Sequence, residues 1–142
     1  MPILPPSTNA DYHGPLVAAR LLTLVAVLTV VPGCIHSFLP DGGAGTIAGL
    51  DLATCGVIIV ALFRWAGATQ IAFGLLLLAI ALRYRPLVPL GLALVVVERG
   101  LLAVHAWSHA VEGHRPPEHY AVLVALPIVA AALVASLRAT SR

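Results

Sequence analysis

Four apolar runs govern what this chain can become: Pro15 to Phe38, Thr46 to Leu82, Pro86 to Trp107 and Tyr120 to Leu137. A helix needs about 20 consecutive apolar residues to cross the hydrocarbon slab of a bilayer. Each run meets or approaches that length, so the expected fold class is an all-α integral membrane four-helix bundle. Composition agrees. The 142 residues are 60% hydrophobic and 10% charged, with a mean hydropathy of +0.99, whereas soluble domains carry about 25% charged residues. The primary partner is therefore the lipid bilayer, with other membrane-protein subunits next. A net charge of +2, carried by scattered arginines and no lysine, argues against nucleic acid.

Residues 1–14 are rich in proline and lack Lys and Arg. A secretory signal starts with a basic region, so this segment reads as a flexible lead and the first apolar run as a retained helix. A lipoprotein signal ending Val31-Pro32-Gly33-Cys34 is an alternative, which Pro32 and Asp11 disfavour. Residues 15–138 form a single bundle, and 139–142 a short tail. The spans are expected at about 15–38, 65–82, 86–107 and 120–137. As one helix, Thr46 to Leu82 would run about 55 Å, too long for a bilayer. A break is expected at Phe63–Gly67. Ile47 to Leu62 then spans as a fifth helix, or forms an extra apolar interfacial or re-entrant half-helix between spans 1 and 2. Charge favours the latter: with four spans and both termini cytoplasmic, Arg83, Arg85, Arg138 and Arg142 all face the cytoplasm, as the positive-inside rule requires.

Gly67, Gly74 and Ala81 recur every seven residues on the second span. Such small-residue faces let helices approach closely, and this one is expected to pack the bundle or receive a partner. Cys34 and Cys55 fit no CxxC or zinc spacing. They read as thiols behaving like small hydrophobes, with a disulfide between them as the alternative. Asp41 opens a glycine-rich segment and reads as a turn residue.

The chemistry-bearing residues concentrate on the third span. Glu98 and Arg99 sit mid-run, where a charge needs a partner, a wet cavity or a function. Consecutive helix residues point about 100° apart, so each is expected to meet another helix rather than its neighbour. Gln70 is the expected partner of Glu98 in an intramembrane polar clamp of Glu98, Arg99 and Gln70; a proton or ligand site is the alternative. Glu98, Leu102, His105, His109 and Glu112 form one stripe. His105, His109 and Glu112 could ligate a metal, and His36, His105 and His109 could bind a cofactor such as haem. Interfacial histidines bonded to head groups and water are the plainer reading. The sequence leaves the cofactor unknown and contains no complete catalytic constellation.

The segments Gly33-Cys34-Ile35-His36-Ser37-Phe38-Leu39-Pro40, Ala66-Gly67-Ala68-Thr69-Gln70-Ile71-Ala72-Phe73-Gly74, and Glu98-Arg99 with Glu112-Gly113-His114-Arg115-Pro116 resemble the DoxX-like group of small four-helix bacterial membrane proteins, in an uncharacterised branch. The resemblance spans most of Ala18 to Leu137. It implies a four-helix bundle in the bacterial inner membrane; the histidines of the third span and following loop depart from the group's pattern, so no catalytic residue is carried over. The expected function is a non-enzymatic accessory or scaffold subunit of a larger membrane complex. The alternatives are a redox or small-ligand (haem, metal or quinone) protein with its site at the outer mouth of the bundle, and a small transporter or proton pathway.

Overall fold

The computed structural model describes residues 3–108 and 115–140. Its long elements are α1 (Leu16–Phe38), α2 (Gly56–Arg83), α3 (Val88–Ser108) and α4 (Pro117–Thr140), with single 3-10 turns at Asn9–Asp11 and Arg85–Leu87. All four helices are long and apolar enough to cross a membrane, so the chain has the build of a multi-pass membrane protein. They pair as two hairpins, α1 with α2 and α3 with α4, and contact between the hairpins is sparser.

The seven-residue repeat explains the first hairpin. A Cβ added to Gly67 would stand 2.7 Å from both the Gly33 carbonyl oxygen and Ser37 Oγ; one added to Gly74 would stand 2.5 Å from Val30 Cγ2. The backbones of α1 and α2 therefore meet at van der Waals distance along Gly33, Gly67 and Gly74. Ala81, 1% exposed, continues the seam. Without a hydrophobic drive between helices in lipid, such close approach supplies the attraction. α1 runs on through Pro32. Proline has no N–H, so Leu28 loses the partner of its carbonyl at that point.

The second span departs from expectation. The predicted break at Phe63–Gly67 does not form, and α2 is continuous from Gly56 to Arg83, about 42 Å. Residues 56–62 are its first turns and residues 47–55 are turns and coil, so 47–62 is not a half-helix of its own. The surplus length is shed upstream. Gly42, Gly43 and Gly49 adopt positive φ (63°, 77° and 68°), which costs glycine little and other residues more. The Asp41 carboxylate accepts hydrogen bonds from the amides of Gly43 (2.8 Å), Gly45 (3.1 Å) and Thr46 (2.8 Å). These donors, that of Thr46 foremost, hold its carboxyl below the ordinary range because they favour the charged form. Gly67, inside the expected break, instead serves only in its other expected role, as a packing residue. Arg64 and Arg83 stand about 29 Å apart along α2, close to the hydrocarbon thickness. The turns before Arg64 project beyond that interval, and Arg64 donates to the Pro40 carbonyl (3.1 Å).

The N-terminal segment, expected as a flexible lead, is a strap over the end of α2. Ser7 Oγ and the Thr8 amide donate to the Arg83 carbonyl (2.9 and 3.1 Å). Asn9 Nδ2 donates to the Leu82 carbonyl (2.7 Å), and its Oδ1 accepts from the Arg85 amide (3.2 Å). Arg83 Nε and the Tyr84 hydroxyl both donate to the Pro5 carbonyl (3.1 and 2.8 Å). The strap thus satisfies carbonyls that a helix C-terminus leaves open. Arg20, Arg83, Arg85 and Arg138 lie toward this end of the bundle, which we call the basic end.

The buried core occupies the same end. Ala18, Leu22 and Ala26 of α1, Leu77 and Ile80 of α2, Val88, Leu92 and Val95 of α3, and Val129 and Ala132 of α4 make one cluster. Beyond Ala26, Leu77 and Val95 the packing between the hairpins loosens, and cavities begin.

Candidate intramembrane site

Two cavities open where the core stops. The larger, about 650 Å³, lies between α2 and α3. Trp65, Ala66, Thr69, Gln70 and Phe73 line one wall and Leu94, Val97, Glu98 and Leu101 the other, with Thr29 behind. The smaller, about 280 Å³, is lined by all four helices. Its polar lining comes from Thr29, Gln70, Arg99 and Glu118, and Leu28 and Pro32 face it too. Thr29 and Gln70 belong to both linings, so they form the partition between the cavities.

α3 builds this site by its own rotation. Glu98 and Arg99 diverge at the backbone, so Glu98 lines the α2–α3 opening and Arg99 the four-helix cavity. Their side chains nevertheless meet: Arg99 Nε lies 3.0 Å from Glu98 Oε2, with the arginine side chain 22% exposed and the glutamate 41%. The expectation that neighbours would not pair is corrected here. The arginine stem is long enough to turn back, and in an apolar slab an available countercharge outweighs the lost rotamer freedom. Glu98 sits about 15 Å along α3 from Val88, mid-way through the span.

Gln70 stands beside both charges without bonding either. Its Oε1 is buried and makes no hydrogen bond, and the same holds for Ser37 Oγ and His119 Nδ1. A buried amide oxygen without a donor is costly. Thr29 and Thr69 are locally satisfied, through the carbonyls of Val25 (2.8 Å) and Trp65 (2.8 Å).

The histidines fall elsewhere. His36 Nδ1 is 2.7 Å from the Gly42 carbonyl. A carbonyl only accepts, so this nitrogen carries the proton. The His36 ring stands edge-on to Phe63, with centroids 5.1 Å apart. His36 thus anchors the α1–α2 connection. His105 is exposed on α3. Neither lines the described walls of the two cavities. His109 and Glu112 lie outside the described residues. Among the described residues, no three His, Cys, Asp or Glu side chains gather as a metal ion would require. Cys34 and Cys55 are free thiols, Cys55 exposed.

At the end opposite the strap, aromatic groups close the second hairpin. Arg115 stacks over the Trp107 ring (4.6 Å) and donates to the Ala106 carbonyl. Trp107 meets Tyr120 edge-on at 5.9 Å and donates from Nε1 to the His119 carbonyl (3.1 Å). Such aromatic and arginine clusters suit the membrane–water boundary.

Trp65, Phe73, Thr29 and Glu118 were not singled out in the sequence as lining residues. A signal existed: Trp65, Thr69 and Phe73 recur every four residues beside Gln70, and Leu94, Glu98 and Leu101 follow a four-then-three helical spacing across the gap. Comparison of the chain with protein-family models, curated proteins and solved structures gives no match.

Proposed function

We propose that this chain is a non-enzymatic accessory subunit of a larger complex in the bacterial inner membrane, with both termini cytoplasmic, and that it receives a transmembrane helix of its partner in the α2–α3 opening. One observation carries the reading: at mid-span, the hairpins part and leave the Glu98 side chain 41% exposed. In hydrocarbon, every polar group seeks an internal partner. A neighbouring helix bearing Ser, Thr or Asn offers hydroxyl or amide donors to Glu98, and small residues such as Ala66 permit its approach. The arginines of the basic end support a cytoplasmic placement of that end through the positive-inside rule. The DoxX-like resemblance supports the four-helix, inner-membrane assignment.

The test is site-specific photo-crosslinking in native membranes. A photoreactive side chain at Val97 or Leu101, on the opening, should yield one discrete protein adduct that Glu98→Gln diminishes. The same probe at Val124 or Ile128, exposed on α4, should yield none. Absence of a protein adduct from the opening would overturn the subunit reading.

A second reading has its own support. The unbonded Gln70 oxygen and a cavity of about 650 Å³ match the size and sparse polarity of small-molecule sites. An amphiphile such as a quinone would enter sideways from the lipid. Under that reading, the opening yields a small-molecule adduct in place of a protein one.

A further inference from the structure

We propose that the basic end holds a binding site for one anionic phospholipid, between Arg20 of α1 and Arg85 of the α2–α3 turn. The two arginines line one cavity of about 340 Å³ together with Leu16, Ala19, Thr23, Ala81 and Leu82. Ala19 and Ala81 are buried in the α1–α2 seam, 4% and 1% exposed; being small, they leave the hollow. No carboxylate lines it. Among the described residues the one ion pair is that of Glu98 with Arg99, so neither Arg20 nor Arg85 has an acidic partner. Arg85 is positioned: its Nε donates to the Ala81 carbonyl (3.3 Å) and its amide to Asn9 Oδ1. Its terminal guanidinium nitrogens are left for a ligand.

The chemistry calls for an oxyanion, since a guanidinium presents a planar fork of donors that matches phosphate geometry. The surroundings call for a lipid rather than a soluble ion. Leu16 and Leu82, 53% and 56% exposed, flank the arginines on the bilayer side. A phosphodiester between the guanidiniums would lay its acyl chains along them. Basic pockets between membrane helices serve anionic head groups in this way. The site lies at the basic end, apart from the α2–α3 opening at mid-span, and stands independently of the subunit reading.

The test uses the full-length protein in neutral detergent, exposed to an equimolar mixture of phosphatidylglycerol and phosphatidylcholine and analysed by native mass spectrometry. One phosphatidylglycerol should be retained per protein, in preference to phosphatidylcholine. Loss of each arginine should cut the preference about fivefold. Arg20→Gln and Arg85→Gln therefore each weaken it, and the double variant abolishes it. Arg64→Gln, at the far end of α2, leaves it intact. Should Arg85→Gln fail to fold, Arg20→Gln decides alone, because Arg20 is exposed and Arg20→Lys should restore part of the preference. Equal retention of the two lipids by the wild type would overturn the proposal, as would a preference undiminished by loss of Arg20. Displacement of the lipid by millimolar inorganic phosphate would show a soluble-anion site instead, and would also overturn it.

Discussion

Two glycines separate sterics from helix propensity in this bundle. Gly67 and Gly100 both lie inside helices. Replacing either with alanine gains the same propensity, about 0.5–1 kcal/mol, and that gain cancels in a comparison of the two variants. Their surroundings differ completely. A Cβ at Gly67 would meet the Gly33 carbonyl oxygen and Ser37 Oγ at 2.7 Å and His36 Cβ at 2.8 Å, whereas one at Gly100 meets nothing within 4 Å. The first of these obstacles is backbone of a packed helix, so α1 must move away from α2. Overpacking of this kind costs about 1–3 kcal/mol. Gly67→Ala should therefore be less stable than Gly100→Ala by about 1–3 kcal/mol, and Gly100→Ala should equal or exceed the wild type. The assay is reversible unfolding in mixed micelles by titration with a denaturing detergent, followed by circular dichroism. Equal stability of the two variants would refute close packing at the seam, and with it the reading of the seven-residue repeat.

Three further outcomes follow from the geometry. Glu98→Gln should destabilise the bundle by about 1–3 kcal/mol, below the cost of breaking a fully buried pair because both partners are partly exposed, and Glu98→Gln/Arg99→Gln should recover most of the loss in a double-mutant cycle. The turn at Asp41 should be protected above the ordinary carboxylate pKa and lose protection as the pH falls through its lowered value, because the ionised form is the one its amides hold; protection factors of the Gly43 and Thr46 amides measured against pH, with Asp41→Asn as the flat reference, check the sign. Asn9→Ala should remove two hydrogen bonds, at about 1 kcal/mol each, and speed hydrogen exchange at Tyr84 and Arg85 while leaving the Gly67 region unchanged.

Much of the fold could be read directly, because a bilayer imposes length and polarity together. The four helices and the Gly67–Gly74–Ala81 face are in the sequence as run length and spacing. The start of α2 was not. Ile47 to Leu62 is apolar throughout except for Thr54 and Asp51, and what gathers the chain into turns ahead of α2 is the set of amides that Asp41 collects from Gly43, Gly45 and Thr46. Spacing rules do not report that grouping. The Glu98–Arg99 contact was hidden for a related reason: a rule about where Cβ atoms point says nothing of how far a guanidinium can return. The polarity of the site was legible, since Glu98, Arg99 and Gln70 stand out in apolar runs. The division into two cavities was not, because it depends on where small side chains stop the core, between Ala26 and Thr29 on one helix and between Gln70 and Leu77 on another.

The strap bears on the order in which the chain assembles. Its hydrogen bonds join residues 73 to 79 positions apart, a closure that would be entropically dear for an unstructured chain. Once α1 and α2 zip along their glycine seam, the start of one helix lies beside the end of the other, and only a few residues remain to be ordered. Closure of the strap therefore presupposes a finished first hairpin. It also needs Arg85, the residue that leads into α3, already on the same side of the membrane. During synthesis the clasp can shut as soon as the second span has crossed, before the second hairpin exists. The strap is then the latch of a two-helix folding unit, against which α3 and α4 are subsequently laid.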